Sequence, residues 1–133
     1  MIKLKETKTK DGDGLKAVVS SVLKYLGATG VAKIVADTLK SQDFKALGDY
    51  FRSLGFRSLS GEMDVGCLRH FTDKGWPVLT ELGGRVVVVT GVENEHVYFL
   101  DSEDGNTDDP VSAFVARWGS MDSFQYGISV WQE

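Results

Sequence analysis

An α+β fold, with helices first and an antiparallel sheet after them, is predicted by a change of period along the chain. Before Gly75 the apolar residues recur at the spacing of a helical face. After it they alternate, or run together in short blocks, as strands do. Between two of these blocks stands Gly83-Gly84, a pair suited to a two-residue hairpin turn. Helical and strand signals segregated in this way describe helices packed on an antiparallel sheet, not alternating βα units.

The first helix uses Leu15, Val18, Val19, Val22, Leu23 and Leu26, with Asp13 as its cap and Gly27 as its left-handed stop. Thr29 opens a second, with Val31, Ile34, Val35, Thr38 and Leu39 on one side. A third runs from Ser41 or Asp43 to Leu54, buries Phe44, Leu47, Phe51 and Leu54, and stops at Gly55. Gly48 inside it costs about 1 kcal/mol against alanine. Asp64 caps a fourth, built on Val65, Leu68 and Phe71 and closed at Gly75. Strands follow at Pro77–Leu82 and Arg85–Thr90, and the unbroken Val86–Val89 predicts a central strand covered on both faces. Val97–Asp101 is the third strand, after the short ENEH connection. Pro110 behind Asp109 reads as a first-turn proline after a cap. It opens a helix with Val111, Phe114, Val115 and Trp118, ended by Gly119. Tyr126, Ile128 and Val130 alternate with Gly127, Ser129 and Trp131 in a last strand. No repeat or linker divides the chain, so residues 1–133 are read as one domain.

Composition narrows the function classes. The 42% hydrophobic and 26% charged content is that of a soluble globular protein. A net charge of −4 argues against nucleic acid as a partner, since phosphate binding needs a basic face. Lys3, Lys5, Lys8, Lys10 and Lys16 crowd the start, which reads as a solvated tail. A lone cysteine, Cys67, permits no internal disulfide and suits a reducing compartment. No signal peptide or membrane-length apolar run is visible, so no membrane insertion and a cytoplasmic location are expected.

Several residue groups are candidates for chemistry. Cys67 and His70 lie three apart on the fourth helix, but a mid-helix thiol has no dipole to activate it. With Asp73 they give three ligands where structural zinc wants four. His96 reads as a hairpin-turn residue. The acidic stretch Asp101, Glu103, Asp104, Asn106, Asp108, Asp109 fits the first three calcium-loop positions. It then places Asp109 where glycine is needed and Val115 where the bidentate glutamate belongs. It is read as a solvated loop, with a weak irregular cation site as the alternative. Trp76, Trp118 and Trp131 are read first as packing residues, with a ligand groove as the alternative. No metal and no cofactor are expected.

Three stretches carry a family likeness: DGLKAVVSSVLKYLG at 13–27, GWPVLTELGGRVVVVTGVENEHVYFLDS at 75–102 and VSAFVARW at 111–118. In order and spacing they resemble the papain-like, double-glycine leader peptidases of bacteriocin ABC exporters. The nucleophile helix of that family begins Asp-Cys-Gly and ends near Tyr-Tyr-Gly. Its strand region carries Gly-x-Pro-Val-Ile and an Asp-Pro, and a helix ends in Phe-x-x-x-Trp. The resemblance implies a papain-like fold. Counted back from Gly27, it places Gly14 at the cysteine position. It places Arg85 at the catalytic histidine, Asp101 at the orienting carboxylate and Lys8 at the oxyanion glutamine.

On that alignment the chemistry fails. Glycine supplies no nucleophile, and arginine cannot give up a proton near neutrality. Lysine is a flexible, hydrated cation, a poor replacement for a fixed amide donor. The expected function is that of a non-catalytic pseudo-peptidase. Its vestigial groove, wider and more positive than an active one and bordered by Asp13, Gly14, Arg85 and Trp76, binds a peptide or protein partner. Arg85 either projects into the groove or pairs with Glu81 across the hairpin. One alternative is a structural subunit of a larger assembly, such as a secretion machine or phage particle, that holds the lysine-rich start in place. Last comes an active cysteine hydrolase using Cys67.

Overall fold

The computed structural model describes residues 2–4, 14–28, 44–83, 85–101, 104–119 and 125–132. Helix α1, Gly14–Tyr25, buries Val18, Val19, Val22, Leu23 and Leu26 as its period requires. Gly27 takes φ +84°, and the Ala28 N–H returns to the Leu23 carbonyl at 2.8 Å, which closes the helix end. Asp13, Lys8 and the helix expected from Thr29 lie outside the described residues, as does the Ser41 or Asp43 start of the third helix. A 3₁₀ turn, Phe44–Ala46, leads into α2, Leu47–Ser53, with Phe44, Leu47 and Phe51 buried. Helix α3, Val65–Asp73, begins as expected: the Asp64 carboxylate accepts from the Cys67 N–H at 2.8 Å.

Gly48 explains its own presence in α2. A Cβ there would stand 2.6 Å from Ser60 Oγ and 3.2 Å from Ser58 Oγ, so any larger residue requires the Ser60 hydroxyl to move. Gly48→Ala should therefore not give the usual gain of about 1 kcal/mol in urea denaturation, whereas in a Ser60→Ala background it should recover at least part of it. A full gain in the single variant would refute this account of the contact.

Six strands form one antiparallel sheet in the order β1-β6-β2-β3-β4-β5. They are β1 Arg57–Glu62, β2 Val78–Leu82, β3 Arg85–Glu93, β4 His96–Asp101, β5 Gly105–Pro110 and β6 Tyr126–Trp131. Two of them correct the sequence reading. Strand β1 was not expected, because RSLSGE has few apolar residues; it is an edge strand held by β6 alone among the described strands. Strand β5 occupies what was read as a solvated acidic loop, pairing along β4 from Asp101↔Gly105 to His96↔Pro110. Nor is the sheet a simple meander, since β6 inserts between β1 and β2.

Helices cover both faces of this sheet. On one side α1 and α2 bury Leu79, Val88, Leu100, Ile128 and Val130. On the other, α3 and α4, Val111–Trp118, bury Val78, Leu82, Val87, Val89 and Phe99. The unbroken valines of β3 thus alternate between two cores, as their continuity predicts. Helix α4 does not use the expected cap. Pro110 itself occupies the N-cap position, and the Asp109 carboxylate instead accepts from Arg117 at 2.9 Å. Trp118 Nε1 donates to Thr80 Oγ1 at 2.6 Å, and Thr80 Oγ1 donates to the Tyr126 carbonyl at 2.7 Å, tying α4, β2 and β6 together.

A bulge between Val89 and Gly91 shifts the register of β3, and the Thr90 carbonyl accepts from the Ile2 N–H at 3.1 Å. Asn106 Nδ2 donates to the Leu4 carbonyl at 3.3 Å. Ile2 and Leu4 are buried and Lys3 is exposed. The beginning of the lysine-rich start is therefore anchored to the sheet rather than solvated. Among the described residues no helix is long and apolar enough to cross a membrane.

Candidate functional site

Arg85 opens β3 and Asp101 closes β4, so the antiparallel pairing brings them to the same end of the sheet. Asp101 stands opposite Val87 in the register, one diagonal step from Arg85 on the same face. Arg85 Nη2 lies 2.9 Å from Asp101 Oδ2, and the Asp101 side chain is only 2% exposed. Asp104 adds a second, exposed carboxylate 3.9 Å from the same nitrogen. Across the hairpin, Leu82 is opposite Arg85 while Glu81 is opposite Val86, which turns the Glu81 and Arg85 positions to opposite faces. The guanidinium is matched instead by Asp101. One cation thus stands beside two carboxylates at this end of the sheet.

The other expected members of the site are placed differently. Gly14 is the first residue of α1, whose opposite end is fixed by the Tyr25 hydroxyl donating to the Gly75 carbonyl at 2.8 Å. Gly75 precedes the start of β2, and Arg85 lies at the far end of the β2–β3 hairpin. Trp76 shares the Gly75 end and is not brought together with Arg85. Its ring stacks on Trp131, with centroids 4.3 Å apart and planes 12° apart. Asp13 and Lys8 fall outside the described residues.

Cys67 is not mid-helix, as the sequence reading had it, but the third residue of α3, half-buried against the second core. The end of a helix would favour a thiolate, yet the cap there is already an anion. Hydrogen bonds from the Cys67 N–H and then from its side chain hold the Asp64 carboxyl below its ordinary value. The His70 ring meets Phe71 edge-on, with centroids 5.6 Å apart. These contacts fit packing and capping better than nucleophilic attack.

The described acidic residues of 101–109 turn to different partners: Asp101 and Asp104 to Arg85, Asp108 to His96 and Asp109 to Arg117. They do not converge as calcium ligands do. His96 Nδ1 lies 2.7 Å from Asp108 Oδ2, a pair that sequence reasoning missed. No local spacing signals it, because the β4–β5 pairing creates it.

No family model and no curated protein matches this sequence. Solved structures do. The peptidase domain of Streptococcus ComA, a bifunctional ABC transporter involved in quorum sensing, is 19% identical over 100% of both chains, with a TM-score of 0.76. A double-glycine-motif protease from an AMS/PCAT transporter, solved with its leader peptide, is 13% identical. That match covers 98% of this chain and 93% of the other, with a TM-score of 0.73. The fold is that of a papain-like peptidase domain. At these identities the likeness is one of backbone, and chemistry has to be argued from this chain's own residues.

Proposed function

We propose that this papain-like domain is non-catalytic and binds an extended peptide or protein segment at the Arg85 and Asp101 end of its sheet. The observation that carries the reading is the 2.9 Å pair between Arg85 and the buried Asp101. On the alignment proposed from sequence, a guanidinium holds the carboxylate that a catalytic imidazole would need, and it can neither take nor return a proton near neutrality. The course of α1 supports the location. From its anchor at Gly75 it packs across β3 and β4, a path that sends Gly14 toward the Arg85 end. The leader peptide bound by the transporter protease supports the ligand class. A role as a subunit of a larger assembly has no comparable support, because contacts within the chain account for the anchored start.

Cleavage and binding assays with synthetic double-glycine leader peptides test the proposal. The expected result is saturable binding with the peptide intact after long incubation, and binding weakened by Arg85→Ala. Cleavage that disappears in Cys67→Ala would overturn it. The placement of Gly14 has its own test in Gly14→Cys, made in a Cys67→Ser background. A thiol at the start of α1 should titrate below the free value of about 8.5, modestly so because Asp13 opposes it. Alkylation rates across pH report this directly. A thiol that titrates as a free one, or stays closed to reagent in the folded protein, is not at a vacated nucleophile position.

A further inference from the structure

The start of the chain forms one wall of a cleft that neither the Arg85 pair nor the two cores use. Ile2 and Leu4 pack into the first core, and their segment is pinned to β3 through the Thr90 carbonyl and to β5 through Asn106. It therefore crosses over β4, the strand between them. Beside it lies a cleft of about 480 Å³, within the roughly 300–1,000 Å³ typical of small-molecule sites. Every residue that lines it is among the described ones. Tyr98 is its aromatic wall. Leu100 belongs to the first core and Phe99 to the second, so Tyr98 stands on the first-core face, where Ile2 and Leu4 pack. Asp108 is opposite Tyr98 on β5 and shares that face. At the bulge, Thr90 lines the cleft while only 4% exposed, and its hydroxyl has no hydrogen-bond partner among the described residues. A buried hydroxyl left without a partner beside a cleft is a group that a ligand can satisfy.

The charged residues that line the cleft are one of each sign, Lys3 and Asp108. Lys3 is exposed and makes no ion pair among the described residues. Asp108 is held through one oxygen: Oδ2 lies 2.7 Å from His96 Nδ1, and Oδ1 has no partner among the described residues. An ammonium has three donors and a carboxylate oxygen two lone pairs, so both groups keep capacity for a ligand. A simple anion would meet Asp108 and a simple cation would meet Lys3, whereas a zwitterion satisfies both. We propose that this cleft binds a small zwitterion with an aromatic side chain, a free aromatic amino acid or a short peptide with both termini unblocked. Its ring packs on Tyr98, its ammonium donates to Asp108 and its carboxylate accepts from Lys3. Tyr98 and Asp108 lie toward the His96 end of β4, while Arg85 meets Asp101 at the other end. The inference therefore does not rest on the Arg85 groove.

Backbone amide shifts of the whole chain, followed by NMR, test this with phenylalanine, N-acetylphenylalanine, phenylalaninamide, alanine and phenylalanylglycine as probes. Phenylalanine should give saturable shifts centred on residues 2–4, 90, 98 and 106–108. N-acetylphenylalanine lacks the ammonium and phenylalaninamide the carboxylate, so each should bind about tenfold more weakly. Alanine, without the ring, should not saturate. Lys3→Ala should weaken phenylalanine about tenfold and leave phenylalaninamide nearly unchanged, whereas Asp108→Asn should weaken phenylalanine and spare N-acetylphenylalanine. Both side chains are exposed, so melting temperatures should move little. Arg85→Ala should leave the phenylalanine Kd unchanged, which separates the cleft from the groove. Tighter binding of phenylalanylglycine than of phenylalanine makes the source a short peptide, and the reverse order makes it a free amino acid; either order supports the proposal. Shifts centred elsewhere, equal binding of the blocked analogues, or no saturation up to about 20 mM phenylalanine would sink it.

Discussion

Trp118→Ala should destabilise the domain by about 3–5 kcal/mol, a large part of the 5–15 kcal/mol typical of a whole small protein. The side chain is 1% exposed and packs against Phe114, with ring centroids 5.4 Å apart. Truncation would leave a cavity under α4 and remove the donor to Thr80, the link through which the helix is joined to β2 and β6. Trp118→Phe separates the two losses. It keeps most of the ring and drops only the Nε1 donation, while Thr80 still donates to Tyr126, so about 1–2 kcal/mol is expected. Urea denaturation followed by circular dichroism measures both. A Trp118→Ala variant within 1 kcal/mol of the parent, as a rough threshold, would mean the packing under α4 is not as described.

The second large effect belongs to the Arg85 and Asp101 pair. Removing one partner of a fully buried ion pair costs about 3–5 kcal/mol, because the other charge is left without compensation. Here the Asp101 side chain is 2% exposed and that of Arg85 34%. Water reaching the arginine side lowers the expected loss for Arg85→Ala to about 1–3 kcal/mol. Adding Asp101→Asn removes the buried charge, so the double variant should be more stable than Arg85→Ala alone. A double-mutant cycle by urea denaturation checks this. Strictly additive losses would show that the pair is geometrically close but energetically idle.

What could be read from the sequence was local. Helices α1 and α3 announced themselves through apolar period, an Asp64 cap and the glycines that follow them, and these signals act within a turn or two. Val86–Val89 gave away a strand buried on both faces for the same reason. Strands β1 and β5 were invisible because RSLSGE and GNTDDP have the composition of loops, and only their pairing with β6 and β4 makes them strands. Asp109 looked like a helix cap until Arg117, eight residues on, took its carboxylate. The partner of Arg85 was equally hidden, since Asp101 arrives from the next strand while Glu81 is nearer in sequence. Of the residues expected at the site, Arg85 and Asp101 are brought together and Trp76 is not, and no local signal in the sequence distinguishes the two outcomes.

The interior position of β6 has a consequence for how the chain reaches this state. Strand β1 forms early in the sequence, yet β6, which joins it to the sheet, comes after every other strand. During synthesis β1 leaves the ribosome long before that partner exists. The β2-to-β5 meander can close by short hairpins, whereas β1 must wait for a distant closure with its loop entropy still unspent. An intermediate with β2–β5 assembled would expose the Val78 and Leu79 edge where β6 belongs, a template for pairing with another nascent chain. Joining β6 is thus the step at which folding and aggregation compete, and residues of β6 such as Ile128 and Val130, buried in the first core, should govern the yield of refolding as well as the final stability.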